Sequence, residues 1–260
     1  MGLVPRLQNH TAAGELIIKN IRKDNNLWIE QVILKRMTRY APGLFIPFLN
    51  DLFQKQYPPD AKVSVLYLTT RNTSAGRQET AHKALFLLRL GRFLYSFECG
   101  ETEDGSYILC ISESPATWNS GSREIPVPVC SLVYIDSTSH TPEKTEFRYK
   151  FPDGHSVSVE RTNLVLARLT KEELIQRKIF PLIPFFVMKY AEPGNGSDQV
   201  ISEEFRYFNN QLSELHKEEI LSASDLEVLF TFIHSAIDHL AFRQSRYVKL
   251  HDLIGVPKET

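Results

Sequence analysis

The sequence predicts an α/β fold in which a mixed β-sheet is flanked by helices and followed by a helical extension. Three observations carry that reading. Helical spacing of apolar residues up to Gln56 gives way to period-two alternation from Lys62. The run Val127 to Ile135 is β-branched and nearly all apolar, as in a strand buried on both faces. Thr170 and Glu173 form a capping-box signal, and the pattern beyond them is helical. The 260 residues, 42% hydrophobic and 23% charged, are enough for one large core or two modest ones and exclude an intrinsically disordered chain.

The elements follow in order. Leu27 to Tyr40 carries apolar residues at helical spacing and is ended by Pro42-Gly43. Leu44 to Gln56 is a second helix, with Pro47 tolerated in its first turn and Tyr57-Pro58-Pro59-Asp60 as its stop. The two helices are expected to form a hairpin. Val63, Val65, Tyr67 and Thr69 alternate as a strand. Ala84 to Leu90 and Phe93 to Cys99 flank Gly91-Arg92 as an antiparallel hairpin. Gly100 to Gly105 is an acidic turn, and Ser106 to Glu113 is a short element whose type the pattern leaves open. Val127 to Ile135 is expected at the centre of the sheet. Thr145 to Lys150 and His155 to Arg161 bracket the Pro152-Asp153-Gly154 turn, and Asn163 to Leu169 is a last strand. Helices then run to the end, interrupted at Gly194 to Asp198 and at Ser222 to Ser224. This organisation gives a flexible amino-terminal segment over 1–26, a sheet-containing domain over 27–190 and a helical extension over 199–250.

Thirty Lys and Arg against thirty-one Asp and Glu leave a net charge of -1, which excludes a uniformly basic coat. The average conceals a gradient. Residues 1–100 carry 14 cations and 7 acids, and the remainder carries 16 and 24. Lys62, Arg71, Arg77, Lys83, Arg89 and Arg92 fall within 31 residues that hold one acid, Glu79. Arg77, Lys83, Arg89 and Arg92 are therefore candidate DNA-binding residues, the alternative being that such side chains solvate strand ends. The longest apolar run, Ile179 to Met188, is ten residues with two prolines, too short to span a bilayer. With no secretory signal at the amino terminus, no membrane partner and a cytoplasmic location are expected.

Cys99, Cys110 and Cys130 lack the spacing of a zinc site and are expected to be reduced, behaving as small hydrophobes. Glu79-x-x-His82 lies in a polar loop, where ligands on one helical turn are not expected. His234 and Asp238 sit one turn apart on a helix, as an ordinary hydrogen-bonded pair would.

Several short segments recur in a familiar order. They are Pro58-Pro59-Asp60-Ala61-Lys62-Val63, Leu90 to Cys99, Glu103-Asp104-Gly105-Ser106, Phe151-Pro152-Asp153-Gly154, Leu169 to Ile175, and Ile179 to Tyr190. Their order resembles the bacterial PD-(D/E)XK nuclease family associated with transposases, the Rpn or YhgA-like proteins, over roughly residues 44–190. The resemblance implies a restriction-endonuclease-like core and Mg²⁺-dependent cleavage of DNA phosphodiesters. It assigns Glu98 as catalytic residue and metal ligand, with Glu79 as the nearest second carboxylate. The pattern's Lys or Gln two residues after the Glu is Gly100, its Asp falls at Lys83 to Leu85 where no acid stands, and its later helix positions fall at about Cys110 and Ser114. Mg²⁺ seldom stays on one carboxylate. Cleavage is accordingly expected to be weakened or lost, with DNA binding retained. The other function left open is a non-catalytic interaction protein, a homodimer joined through the apolar faces of its carboxy-terminal helices at Phe205, Phe208, Leu212 and Leu215 and at Leu226, Leu229, Phe230, Ile233 and Ile237.

Overall fold

The computed structural model describes residues 29–66, 83–101, 107–116, 128–135, 141–151, 154–188 and 198–243. The elements are α1 (Ile29–Tyr40), α2 (Phe45–Phe53), β1 (Val63–Leu66), β2 (Lys83–Leu90), β3 (Phe93–Glu101), β4 (Tyr107–Pro115), β5 (Val129–Tyr134), β6 (Lys144–Lys150), β7 (Ser156–Thr162), β8 (Leu164–Val165), α3 (Lys171–Gln176), α4 (Ile183–Met188), α5 (Asp198–Lys217) and α6 (Ala223–Arg243). They divide into two units, one built from Pro42–Leu182 and the other from Met1–Ala41 with Ile183–Thr260. The division falls between α1 and α2, so the two helices read as a hairpin belong to different units. It does not coincide with the 27–190 boundary drawn from the sequence.

The first unit holds a six-stranded mixed sheet in the order β1-β2-β3-β4-β5-β8. Strands β1 to β5 are antiparallel neighbours in sequence order, and β8 adds parallel to β5. The β2–β3 hairpin turns on Gly91, whose φ of 58° only glycine adopts freely, as a Gly-first two-residue turn requires. The segment left open by its pattern, 107–115, is a full strand of nine residues, where the resemblance implied a helix. Its burial alternates over Leu109 to Ser114, and the register with β3 on one side and β5 on the other fixes it in the middle of the sheet. The expected central strand, β5, is instead the last but one, between β4 and β8. Its apolar character is explained all the same, since Leu132, Val133 and Tyr134 are buried whichever face they lie on.

Asn163 to Leu169 supplies only two strand residues before a 3-10 turn at Leu166–Arg168. Strands β6 and β7 pair with each other as a separate two-stranded sheet. The capping box at α3 is complete: Thr170 Oγ1 accepts from the Glu173 amide, and Glu173 accepts from the Thr170 amide.

The two faces of the six-stranded sheet differ. Along β3, Tyr95, Phe97 and Cys99 are buried, while Leu94, Ser96, Glu98 and Gly100 are half-buried. The first set packs beneath α2, where the Phe45 ring meets Phe86 and Phe97 edge-on at 5.9 and 5.5 Å. On the second face Ile108, Leu132, Tyr134 and Val165 form a small apolar cluster with Phe147 of β6 and Cys110 against it.

In the second unit α6 packs against α1, α4 and α5. Phe208 lies edge-on to Phe186 at 5.6 Å, and His234 stacks on Phe205 at 5.2 Å. The apolar stripes of α5 and α6, from which a dimer surface was expected, are largely spent here: Phe205, Phe208, Leu212, Leu229, Ile233 and Ile237 are buried.

Candidate functional site

The residues singled out by sequence do not converge. Glu79 and Arg77 lie outside the described residues, as does His82. Lys83 begins β2 opposite Cys99, with its side chain outside what is described. Arg89 and Arg92 are exposed, at the end of β2 and in the following turn. Glu98 sits mid-way along β3 on the half-buried face.

The register states what surrounds Glu98. Its partner on β2 is Ala84, within the Lys83–Leu85 stretch where the resemblance expects an Asp, and its partner on β4 is Cys110. Its hydrogen bond is with the Ser96 hydroxyl, which donates to Oε1 at 3.1 Å. Neither alanine nor cysteine is a residue type that suits Mg²⁺, which takes oxygen ligands and usually two carboxylates. Among the described residues no group of three His, Cys, Asp or Glu side chains is placed to hold a metal ion. The described residues around Glu98 therefore do not fit the metal that the resemblance implies.

A different site forms where the end of β2 meets β1 and the loop after α2. Here Tyr57, Pro58, Ala61, Lys62, Ser64, Arg89 and Gly91 line an open cleft of about 500 Å³. Local sequence builds it. Gln54 takes a left-handed conformation, φ 52°, and ends α2. The Asn50 side chain then clamps the returning chain: Oδ1 accepts from the Tyr57 amide and Nδ2 donates to the Tyr57 carbonyl, both at 2.9 Å. Tyr57 is fixed at its other end too. Its hydroxyl shares a 2.8 Å hydrogen bond with that of Tyr95, which donates to Glu113 Oε2 at 2.8 Å.

Glu113 is a buried carboxylate, and its second oxygen is met by Lys55 Nζ at 3.0 Å. Lys55 also stands 4.4 Å above the Phe93 ring. Burial, with the hydrogen bonds to Tyr57 and Glu113, raises the Tyr95 hydroxyl well above its ordinary pKa, so it stays a proton donor. This chain of four side chains is satisfied at every link and holds one wall of the cleft.

The charges around the cleft do not cancel. Glu113 is taken by Lys55, and Asp51 of α2 by Arg177, which grips it through Nε at 3.0 Å and Nη2 at 2.7 Å. That pairing raises the Arg177 guanidinium further above its usual value. Lys62 and Arg89 are exposed and have no ion-pair partner among the described residues. Ser64 is opposite Arg89 in the β1–β2 register, so a hydroxyl stands beside the guanidinium on one face. Two cations, a serine hydroxyl and a fixed tyrosine ring thus line the cleft, groups whose chemistry suits an anion.

Of these residues, Arg89 stands among the DNA-binding candidates read from sequence, and Lys62 was one of the six clustered cations. The Tyr57–Tyr95–Glu113–Lys55 chain carried no sequence signal, because it joins a loop to two strands whose pairing no local pattern reports. Comparisons with family models, with curated proteins and with solved structures find no match to this chain.

Proposed function

We propose that this protein is a non-cleaving relative of the transposase-associated PD-(D/E)XK nucleases that binds the phosphate backbone of duplex DNA in the cleft between β1, β2 and the loop after α2. One observation carries the reading: Lys62 and Arg89 face an open cleft beside Ser64 and Tyr57, with no acid pairing them among the described residues. Arg supplies a planar donor fork for phosphate oxygens, and Lys a mobile point charge. Arg92, exposed in the adjoining turn with its guanidinium 5.3 Å over the Phe93 ring, extends the positive surface. The order of segments shared with the nuclease family supports the choice of DNA as the polymer.

Loss of cleavage follows from the surroundings of Glu98. With Ala84 and Cys110 as its cross-strand partners, the carboxylate has, among the described residues, no second acid with which to share a divalent ion. The dimer reading has weaker support, since the helix faces that prompted it are buried in the chain.

Fluorescence anisotropy of a labelled duplex, titrated with protein at several salt concentrations, tests the proposal. Binding is expected to weaken steeply with salt. The Lys62→Ala/Arg89→Ala double variant is expected to lower the slope of log K against log salt by about 2, roughly 0.9 for each phosphate contact removed. Binding that ignores salt, or a double variant with an unchanged slope, overturns it.

A further inference from the structure

Cys110 and Cys130 were expected to be inert apolar fillers, and Cys99 conforms, being buried at 3% exposure. The other two do not. They stand on the same face of adjacent strands, for Cys110 pairs with Leu132 and Cys130 with Ser112, which makes them diagonal neighbours across β4 and β5. Both are partly exposed free thiols. The Tyr149 hydroxyl of β6 donates a hydrogen bond to the Cys130 sulfur at 3.2 Å. A donor aimed at a sulfur stabilises it as an acceptor, that is, as a thiolate.

The geometry points to Cys110 and Cys130 as a peroxide-reactive dithiol, in which Cys130 is the sulfur oxidised and Cys110 the thiol that resolves it. The titration behaviour agrees in direction. The neighbouring Cys110 thiol, with smaller help from Tyr149 and Arg161, draws Cys130 below the usual thiol range against the opposing effects of burial and Glu98, while the same pairing, together with burial, pushes Cys110 up. Tyr149 is raised as well, chiefly by burial and then by its bond to Cys130, and so keeps its proton.

The chemistry closes with hydrogen peroxide as the oxidant. The Cys130 thiolate attacks one peroxide oxygen; an S–O bond forms, the O–O bond breaks, and the departing hydroxide takes up a proton to become water. Two electrons pass from sulfur to peroxide, leaving a sulfenic acid. The Cys110 sulfur then attacks the Cys130 sulfur, an S–S bond replaces the S–O bond, and the second hydroxide leaves with the Cys110 proton as water. Diagonal strand neighbours, about 7–8 Å apart, lie just beyond the usual disulfide span, so closure requires β4 and β5 to shift and resolution is the slower step.

The full chain is treated with hydrogen peroxide, with and without the sulfenic-acid trap dimedone, and its cysteine peptides are read by mass spectrometry. Early trapping on Cys130, and a Cys110–Cys130 linked peptide when dimedone is left out, are expected. Cys110→Ser is expected to leave the Cys130 adduct and abolish the linked peptide, and Tyr149→Phe to slow adduct formation several-fold. Trapping first on Cys110 or Cys99 overturns the assignment. So does Cys130 oxidation no faster in the native chain than in urea, a comparison made on the wild-type protein alone that stands whether or not a variant folds.

Discussion

The six-stranded sheet presents Glu113 on one face and Glu98 on the other, and the two carboxylates are set up for opposite purposes. Glu113, on the face beneath α2, is buried and meets Lys55 through one oxygen and Tyr95 through the other. Glu98, on the face with Cys110 and Cys130, is half-buried and receives one serine hydroxyl, with Ala84 and Cys110 as its cross-strand partners. A buried charge is tolerable only when fully paired, and once paired it has no capacity left for a ligand. The half-buried face pays less for its polar groups. It can leave Glu98 with a single serine hydroxyl among the described residues, two thiols on one face and Arg89 open to the cleft. Chemistry on this sheet is therefore expected where satisfaction is incomplete, and rigidity where it is complete.

Removing Lys55 should be the most damaging single change on the satisfied face. Lys55→Ala leaves Glu113 buried with one neutral donor and is expected to cost about 3 kcal/mol in urea or guanidinium unfolding, the lower end for a broken buried pair because Lys55 keeps some water contact. Lys55→Ala/Glu113→Gln should recover much of that loss, since no charge is then stranded. A double variant as unstable as the single one would show that Lys55 acts through packing on Phe93 instead.

Asp51→Ala comes next. It breaks the two-bond clasp of Arg177 onto α2 and is expected to cost about 1.5–2 kcal/mol by the same measurement. Tyr95→Phe should cost about 1 kcal/mol near neutrality, the ordinary worth of a buried hydrogen bond. It also has a pH signature. The Tyr95 pKa is raised in the fold by burial and by its bonds to Tyr57 and Glu113, so the native protein keeps a proton that the unfolded chain releases above about pH 10. The stabilisation is full below that pH and is lost as pH rises beyond it. Tyr95→Phe is expected to flatten this alkaline decline, and thermal melts between pH 8 and 11 would read the difference. Smallest of all, Glu98→Ala should stay within about 0.5 kcal/mol of wild type, as for a polar side chain outside any network.

How much of this was legible beforehand follows the range of each interaction. Helices α2 and α3 and the β2–β3 hairpin were visible because their signals are local: Pro47 in a first turn, Thr170 with Glu173, Gly91 between apolar runs. The identity of β4 was not, because Leu109 to Ser114 alternates too weakly in sequence to declare itself and is made a strand by neighbours on both sides. The same limit hid the thiol pair. Cys110 and Cys130 are twenty residues apart, and only the β4–β5 register brings them to one face. Glu98 and Arg89 are candidates that the sequence alone suggests. Their different settings, Glu98 with no second acid and Arg89 with no ion-pair partner among the described residues, emerge only from the register and from the Asn50 clamp that sets Tyr57 beside the cleft.

The central claim, binding without cutting, meets its most direct test in supercoiled plasmid incubated with the purified chain and Mg²⁺ or Mn²⁺ and resolved on a gel. A retarded plasmid that stays supercoiled, with the same outcome for Glu98→Ala, is the expected result. Nicked or linear product formed by the wild type and lost in Glu98→Ala would contradict it, and would return Glu98 to the role of a metal ligand.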